Sequence, residues 1–444
     1  MTGTSHLLTA NVAAANPVAV RGSGVFLEFS DGRTIIDAIA GVGVSCLGYT
    51  CAAVVESMCR QAEQLPFAHA LRFDTPVLRE LAAQVAEVLP PSIDHCYFVS
   101  GGSEAVETAI KYVRQYWLEK SRPGKWKVIG RWPSFHGNTI FGQSAGWHHA
   151  RRARHLPLLV DLPHIESPDL ANGCGHCTGR DSCTLGCAEE LERALIREDP
   201  ETVACFIAEP VGGSATGAHV PHQGYFAAVR DICDRYEILL VADEVFTGFG
   251  RTGTWFAMEH WGVEPDVVIF GKGLGGGFAS LAGIGVSRKT VAAFRRGSGR
   301  FEHNFTYAGH AVACAAGLAV LDQLRNRQLV QRVAALEQPL FTALDLVAAS
   351  ALVGDVRGKG FLVGVELTAS AEEQAEGPGR LADQVSRMAL EEGLLVYPCV
   401  ARLPGVGSHL LLAPAFVMEA ELFGEVAARL RRALDRVEAS LVRR

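Results

Sequence analysis

The sequence predicts an α/β fold built on a mainly parallel sheet, joined to a smaller α+β unit. Three observations carry this. From about residue 50 to 325, short apolar runs rich in Val and Ile alternate with helix-length segments, as they do where both faces of a parallel sheet are covered. After the Ala-rich segment Ala311 to Leu324 the order changes to a long amphipathic helix, a strand-like run at Phe361 to Leu367, another helix and a last helix from about Glu419. The 444 residues, 48% apolar and 20% charged, have the length and balance of an ordinary soluble protein with two or three packed units.

Taken in order, Val25 to Asp37 holds two apolar runs about Asp31-Gly32, the pattern of a hairpin. Strands are expected at Cys96 to Val99, Lys127 to Ile129, Val203 to Ala208, Ile238 to Ala242, Val267 to Phe270 and Ala282 to Val286. Asp74-Thr75-Pro76 sets capping residues before a proline and so opens a helix, and Ser103 precedes another that runs to Lys120. The expected units are 1–50, the N-terminal part of a small domain; 51–325, a large domain with a Cys-rich insertion at 172–188; and 326–444, the C-terminal small domain. Gly377 to Arg380 reads as an exposed loop.

Charge and patterning exclude several classes. Lys plus Arg total 41 against 48 Asp plus Glu, a net charge of -7, with no long basic stripe to neutralise a phosphate backbone, so nucleic acid is not expected as a partner. The first residues lack a basic region followed by a continuous apolar one, and no uncharged apolar run reaches the roughly 18 to 20 residues that span a bilayer. A cytoplasmic protein without a membrane partner is expected. Of the 12 cysteines most stand singly in apolar segments, as Cys96, Cys205, Cys233 and Cys314 do, and behave there as small core residues.

Three segments at strand ends carry chemistry, because ligands of open α/β sheets bind there. Ser100-Gly101-Gly102-Ser103-Glu104 follows a strand and opens a helix, which suits a phosphate or a plain Gly-rich turn. Asp243 emerges from the apolar run ending at Ala242, where a carboxylate needs a cation such as a pyridinium nitrogen or magnesium. Lys272 lies between Gly271 and Gly273 after another apolar strand, with room around its amine for covalent chemistry with a cofactor. Gly271, Gly273 and Gly276 also match the dinucleotide pattern, but a strand-like run follows them and Ser287-Arg288-Lys289 stands where an acidic residue belongs, so an NAD-binding oxidoreductase is rejected.

Together with Phe135-His136-Gly137, Glu209-Pro210-Val211, the segment DEVFTGFGRTG from Asp243, KGLGGGF from Lys272 and FTYAGH from Phe305, these segments resemble the class III (ω-amino acid type) pyridoxal-phosphate aminotransferases over nearly the whole chain. The resemblance implies fold type I, with a seven-stranded, mainly parallel sheet in the large domain and a small domain drawn from both termini. It implies a homodimer with shared active sites. It casts Lys272 as the lysine that bonds the cofactor and Asp243 as the partner of the pyridine nitrogen. Phe135 and Val245 would lie against the two faces of the ring, Gly102 and Ser103 would cradle the phosphate, and Thr306 would reach the phosphate of the neighbouring subunit. His136 and Glu209 stand beside the ring. The activity implied is ping-pong transfer of an amino group, with an aminomutase or a decarboxylase of the same family as the alternative.

Several positions bear on substrate choice and on metals. Leu411 stands where glutamate-, ornithine- and 4-aminobutyrate-type members carry an arginine, and Phe246 where a glutamine is frequent. Both point to an amine or ω-amino acid as donor and pyruvate or another small oxo acid as acceptor. Arg402 is a candidate carboxylate ligand, with a solvated loop arginine as the alternative. The run His148 to Arg154 reads as a solvated loop or subunit contact rather than an anion-steering patch. Cys174, Cys177, Cys183 and Cys187 form C-x2-C-x5-C-x3-C, which suits a structural zinc ion, with disulfides or reduced thiols as alternatives.

Overall fold

The computed structural model describes residues 6–9, 16–168, 183–368, 370, 380–399 and 408–442. Three short strands open the chain, β1 Ala19–Ser23, β2 Phe26–Phe29 and β3 Thr34–Asp37, and β2 and β3 form the expected antiparallel hairpin with Leu27 opposite Ile35. The next seven are β4 Ile93–Val99, β5 Lys127–Trp132, β6 His164–Glu166, β7 Val203–Ala208, β8 Leu239–Asp243, β9 Val267–Phe270 and β10 Ala282–Ser287. They form one sheet in the order β4-β10-β9-β8-β7-β5-β6. From β9 to β6 every pairing is parallel, whereas β10 runs antiparallel to both β9 and β4.

Alternation along these strands divides the core between the two faces. Leu239 and Val241 of β8, with Val267 and Ile269 of β9, pack on the helix Gly102–Glu119 through its Ala105, Val106 and Ala109. Leu240 and Ala242 face the other way, towards Leu191 and Leu195 of the helix Gly186–Glu198 and Val229 of Tyr225–Arg235. With both faces covered the strands read as continuous apolar runs. Asp243 continues the Leu239–Val241 alternation and so emerges on the face that carries the start of the helix Gly102–Glu119.

The later chain adds β11 Val353–Lys359, β12 Leu362–Leu367, β13 Leu394–Leu395, β14 Tyr397–Cys399 and β15 His409–Leu412. β11, β12, β15 and β14 make a second sheet, while β13 pairs in parallel with β3 and ties the chain's early strands to its late ones. The helix Glu421–Val442 closes the described chain. Among the described residues no helix is long and apolar enough to cross a membrane.

Local signals account for the helix starts. Thr75 caps the helix Pro76–Ala86 by accepting from Leu78 N at 3.3 Å. The other helix differs from the sequence reading: it begins at Gly102 with Gly101 as its cap, and Ser103 lies inside the first turn. Ser103 is thereby released for another contact, described below. β6, only three residues long, left no apolar run to notice.

β5 crosses the end of the helix Ile140–Ala145 so closely that a Cβ on Gly130 would sit 1.9 Å from Ala145 O. Gly130→Ala is expected to lower stability by about 3 kcal/mol, the upper end of overpacking costs. Gly424→Ala, on an open helix face with nothing within 4 Å, should raise it by up to about 1 kcal/mol. Urea midpoints of both variants check the pair, and an unchanged midpoint for Gly130→Ala would contradict the close approach.

Candidate active site

The C-terminal ends of the parallel strands β5, β7, β8 and β9 open into one cavity of about 310 Å³. Phe135 and His136 enter it from the turn after β5, Glu209 from the residue after β7, Asp243 from the end of β8 and Val245 just beyond. Lys272 follows β9, and Gly102 and Ser103 face it from across the sheet. The structure thus brings eight of the residues singled out in the sequence to one place.

Asp243 is 5% exposed. His136 Nδ1 bonds its Oδ2 at 2.7 Å, and Val245 N donates to Oδ1 at 3.1 Å. No lysine or arginine pairs with it among the described residues. His136 Nε2 is buried with no hydrogen-bond partner in the described protein. Glu209 is anchored differently, accepting from Phe135 N at 3.0 Å and Gly213 N at 2.9 Å, and burial pushes its carboxyl above the ordinary range.

Two lysines are placed deep in the protein and they are treated differently. Lys125 Nζ donates to Pro200 O at 2.8 Å and Val203 O at 3.2 Å and is fixed. Lys272 Nζ makes no hydrogen bond among the described residues and lies 3.6 Å from the centroid of the Phe246 ring. Burial lowers its pKa to about 8, against Asp243 and Glu209, which raise it, and with Arg251 and Arg151, which lower it further. Its backbone has φ of 40°, a left-handed conformation that a lysine holds at a cost of about 1–3 kcal/mol. A strained, unanchored amine at a strand end is an arrangement for reaction rather than stability.

The far wall is the first turn of the helix Gly102–Glu119, whose N–H groups have no partner within the helix. A Cβ on Gly102 would sit 2.9 Å from Val245 Cγ1, so glycine is what lets the turn come this close. Ser103 Oγ accepts from Asn138 N at 3.1 Å, linking the turn to the loop after β5. The lining therefore suits a flat ring between Phe135 and Val245, with an anionic group at the helix start and a basic nitrogen towards Asp243. A larger cleft of about 620 Å³ lies elsewhere, but its charges pair among themselves, Arg357 with Asp355 at 2.8 Å and Lys359 with Glu337 at 3.2 Å.

Other positions fall differently. Thr306 is exposed and does not line the cavity of its own chain, and Arg402 lies outside the described residues. Leu411 is fully buried in β15, its register partner being Tyr397 of β14. Cys174 and Cys177 also lie outside the described residues; Cys183 is half-buried and Cys187 is buried at the start of the helix Gly186–Glu198. Among the described residues no three His, Cys, Asp or Glu side chains group as a metal site.

The run His148 to Arg154 is not a solvated loop throughout. Arg152 is buried, donating to the carbonyls of Gln143, Gly146 and Ser144 at 2.7, 3.0 and 3.2 Å with its guanidinium 4.2 Å from the Trp147 ring. Arg151 lines the cavity, and so do Asn138 and Tyr397. Arg151 belongs to the run expected to be a solvated loop or subunit contact, and nothing in the sequence marks Asn138 or Tyr397, because a tertiary contact with β14 is what brings the three together.

Comparison with known proteins agrees with this geometry. The family model described as class-III aminotransferase matches residues 9–434. The chain is 34% identical over 428 residues to the putrescine–pyruvate aminotransferase of Pseudomonas aeruginosa, covering 96% of this chain and 92% of the relative. It is 31% identical to an ω-aminotransferase of Caulobacter vibrioides, over 94% and 93% of the two chains, and 32% identical to the diaminobutyrate–2-oxoglutarate transaminase of Halomonas elongata, over 97% and 92%. The ω-transaminase of Pseudomonas jessenii, solved in complex with PMP, superposes with a TM-score of 0.91 at 28% identity, covering 98% of this chain and 97% of that one. An amine transaminase of an uncultivated Pseudomonas species, solved in its PLP-bound form, gives 0.89 at 29%, covering 98% and 99%. The chain belongs to the class-III aminotransferases, transferase enzymes of fold type I that work with pyridoxal phosphate.

Proposed function

We propose that this enzyme transfers an amino group from an amine or ω-amino acid to a small oxo acid such as pyruvate, in two half-reactions through one site. The observation that carries the reading is Lys272, an amine without a hydrogen bond, set in one cavity with the buried carboxylate of Asp243. The donor and acceptor classes follow the relatives named for putrescine and pyruvate and for ω-amino transfer. Leu411 supports them: fully buried in β15, it places no cation where the glutamate-type members carry an arginine.

The residues fit pyridoxal phosphate as follows. Gly102 and Ser103 would hold its phosphate, Phe135 and Val245 would lie against its ring, Asp243 would hold a proton at its ring nitrogen, and Lys272 would bond its aldehyde. When bound, that cofactor supplies an electron sink which makes the hydrogen on the amine-bearing carbon of the substrate acidic. Lys272 Nζ would carry that proton, since its amine is set in the cavity without a hydrogen bond among the described residues and burial lowers its pKa to about 8. His136 orients Asp243 through the 2.7 Å bond. We read the site as belonging to the large unit, 51–325, with Tyr397 reaching in from the C-terminal unit. Thr306, exposed on the single chain beside the 58%-exposed Tyr307, is read as the phosphate ligand of a second copy in a homodimer.

The substrate reading is checked by donor and acceptor profiling of the purified holoenzyme. Neutral amines, diamines or ω-amino acids with pyruvate should turn over, giving alanine, while glutamate as donor to pyruvate, and 2-oxoglutarate as acceptor from the same amines, should each be poorer by roughly a hundredfold in kcat/KM, the effect of one unpaired carboxylate. A preference for glutamate over every amine would overturn the substrate class.

The proton-carrying role makes a second prediction. In the cofactor-free protein, labelling of Lys272 by an amine-directed reagent should rise with pH through a midpoint of about 8, since only the neutral amine reacts. Asp243→Asn removes a negative charge that holds the proton on, so the midpoint should move below that of the parent. Peptide mapping resolves Lys272 from other lysines, and a midpoint near the ordinary lysine range in the parent protein would contradict the role.

A further inference from the structure

Arg151 is a cation whose partners do not match its charge. Its Nη2 donates to Tyr397 Oη at 3.2 Å and its Nη1 to Asn138 Oδ1 at 3.3 Å, both long and both to neutral groups. The guanidinium lies 4.8 Å from the centroid of the Phe135 ring. No carboxylate pairs with it among the described residues, and the two carboxylates of the same cavity are bonded to other groups, Asp243 to His136 and Glu209 to backbone N–H groups.

Three other arginines, buried Arg152 and Arg251 and part-buried Arg357, show what a structural role looks like in this chain. Arg152, next in sequence, is held by three carbonyls, and Arg251 donates to the carbonyls of Phe361 and Pro414. Arg357 pairs with two carboxylates. Arg151 alone of these points into the cavity, with an aromatic ring beneath it and a phenol and an amide to fix the plane of its fork. A planar donor pair held in that way matches a carboxylate. Tyr397 connects it to the second sheet, where its register neighbour is the fully buried Leu411.

We propose that Arg151, oriented by Tyr397 and Asn138, is the carboxylate-binding residue of the substrate pocket and holds the carboxylate of the oxo-acid acceptor. The proposal rests on the transaminase reading above for what the carboxylate is attached to. It explains how the cavity accepts an acid although Leu411, fully buried in β15, supplies no cation. One cation allows one carboxylate, so a neutral amine and a small monocarboxylate share the site, while a second carboxylate finds no partner. An anion could also be the cofactor's phosphate, and the test separates the two.

The experiment compares wild type with Arg151→Gln, Arg151→Lys and Tyr397→Phe as holoenzymes, using pyruvate and the uncharged acceptor propanal with one neutral amine donor. For Arg151→Gln the KM for pyruvate should rise between tenfold and a hundredfold, the range for a lost charge-assisted hydrogen bond, while KM for propanal changes less than threefold. Arg151→Lys should recover part of the loss and Tyr397→Phe should show a smaller rise of the same kind. Calorimetric binding of propanoate to the holoenzyme should weaken at least tenfold in Arg151→Gln, and this arm needs no turnover, so a failed transaminase reading is told apart from a failed Arg151 reading. Equal losses with pyruvate and propanal, unchanged propanoate binding, or weakened pyridoxal phosphate affinity with an unchanged pyruvate KM would each overturn the proposal, the last by assigning Arg151 to the phosphate.

Discussion

Everything at this site depends on keeping a carboxylate buried at the end of a central strand. A bare carboxylate removed from water costs several kcal/mol unless it is paired, and Asp243 has only an imidazole and one backbone N–H within the described protein. The sheet makes the burial unavoidable: β8 lies between β7 and β9, and the alternation that buries Val241 also aims Asp243 under the helix Gly102–Glu119. The same helix presents the N–H groups of its first turn on the other side of the cavity. One strand therefore sets the distance between a place for positive charge and a place for negative charge, and a ligand carrying both ends relieves the two together.

The cations follow the complementary rule. Lys125, Arg152 and Arg251 sit deep in the protein with backbone carbonyls as acceptors, and they contribute to the scaffold. Lys272 and Arg151 lack that provision and face the cavity. Lys272 Nζ, without a hydrogen bond among the described residues, and Arg151, bonded only to neutral groups, both face one cavity of about 310 Å³. Their neighbours Asp243, Glu209, Phe135 and Phe246 complete a lining in which each unmatched group faces space that a small molecule can fill.

Much of this arrangement was legible in the sequence where it rests on local pattern. β7 and β9 run over the residues expected of them, and Lys272 and Asp243 could be named because a glycine pair and a polar residue break apolar strand runs. The boundaries of β4, β5 and β8 moved by a few residues, since a strand's last ladder bonds depend on its neighbour rather than on its own side chains. The roles of Arg151, Asn138 and Tyr397 were not legible. In sequence Arg151 is one of several basic residues, and what separates it from buried Arg152 and exposed Arg154 is a four-residue helix whose placement is set by Trp147 and β14. Ser103 was misread as a cap for a similar reason: its partner, Asn138 N, comes from another segment.

The central claim is that Lys272 is the residue that bonds the cofactor, with Asp243 and the start of the helix Gly102–Glu119 holding the two ends. It is tested most directly by reducing the purified holoenzyme with borohydride and mapping the modified peptide by mass spectrometry. The account predicts one cofactor per chain fixed on Lys272 Nζ, and none fixed in Lys272→Ala, which should still bind the cofactor reversibly. Modification of a different lysine in the parent protein, with Lys272 unmodified, would contradict it.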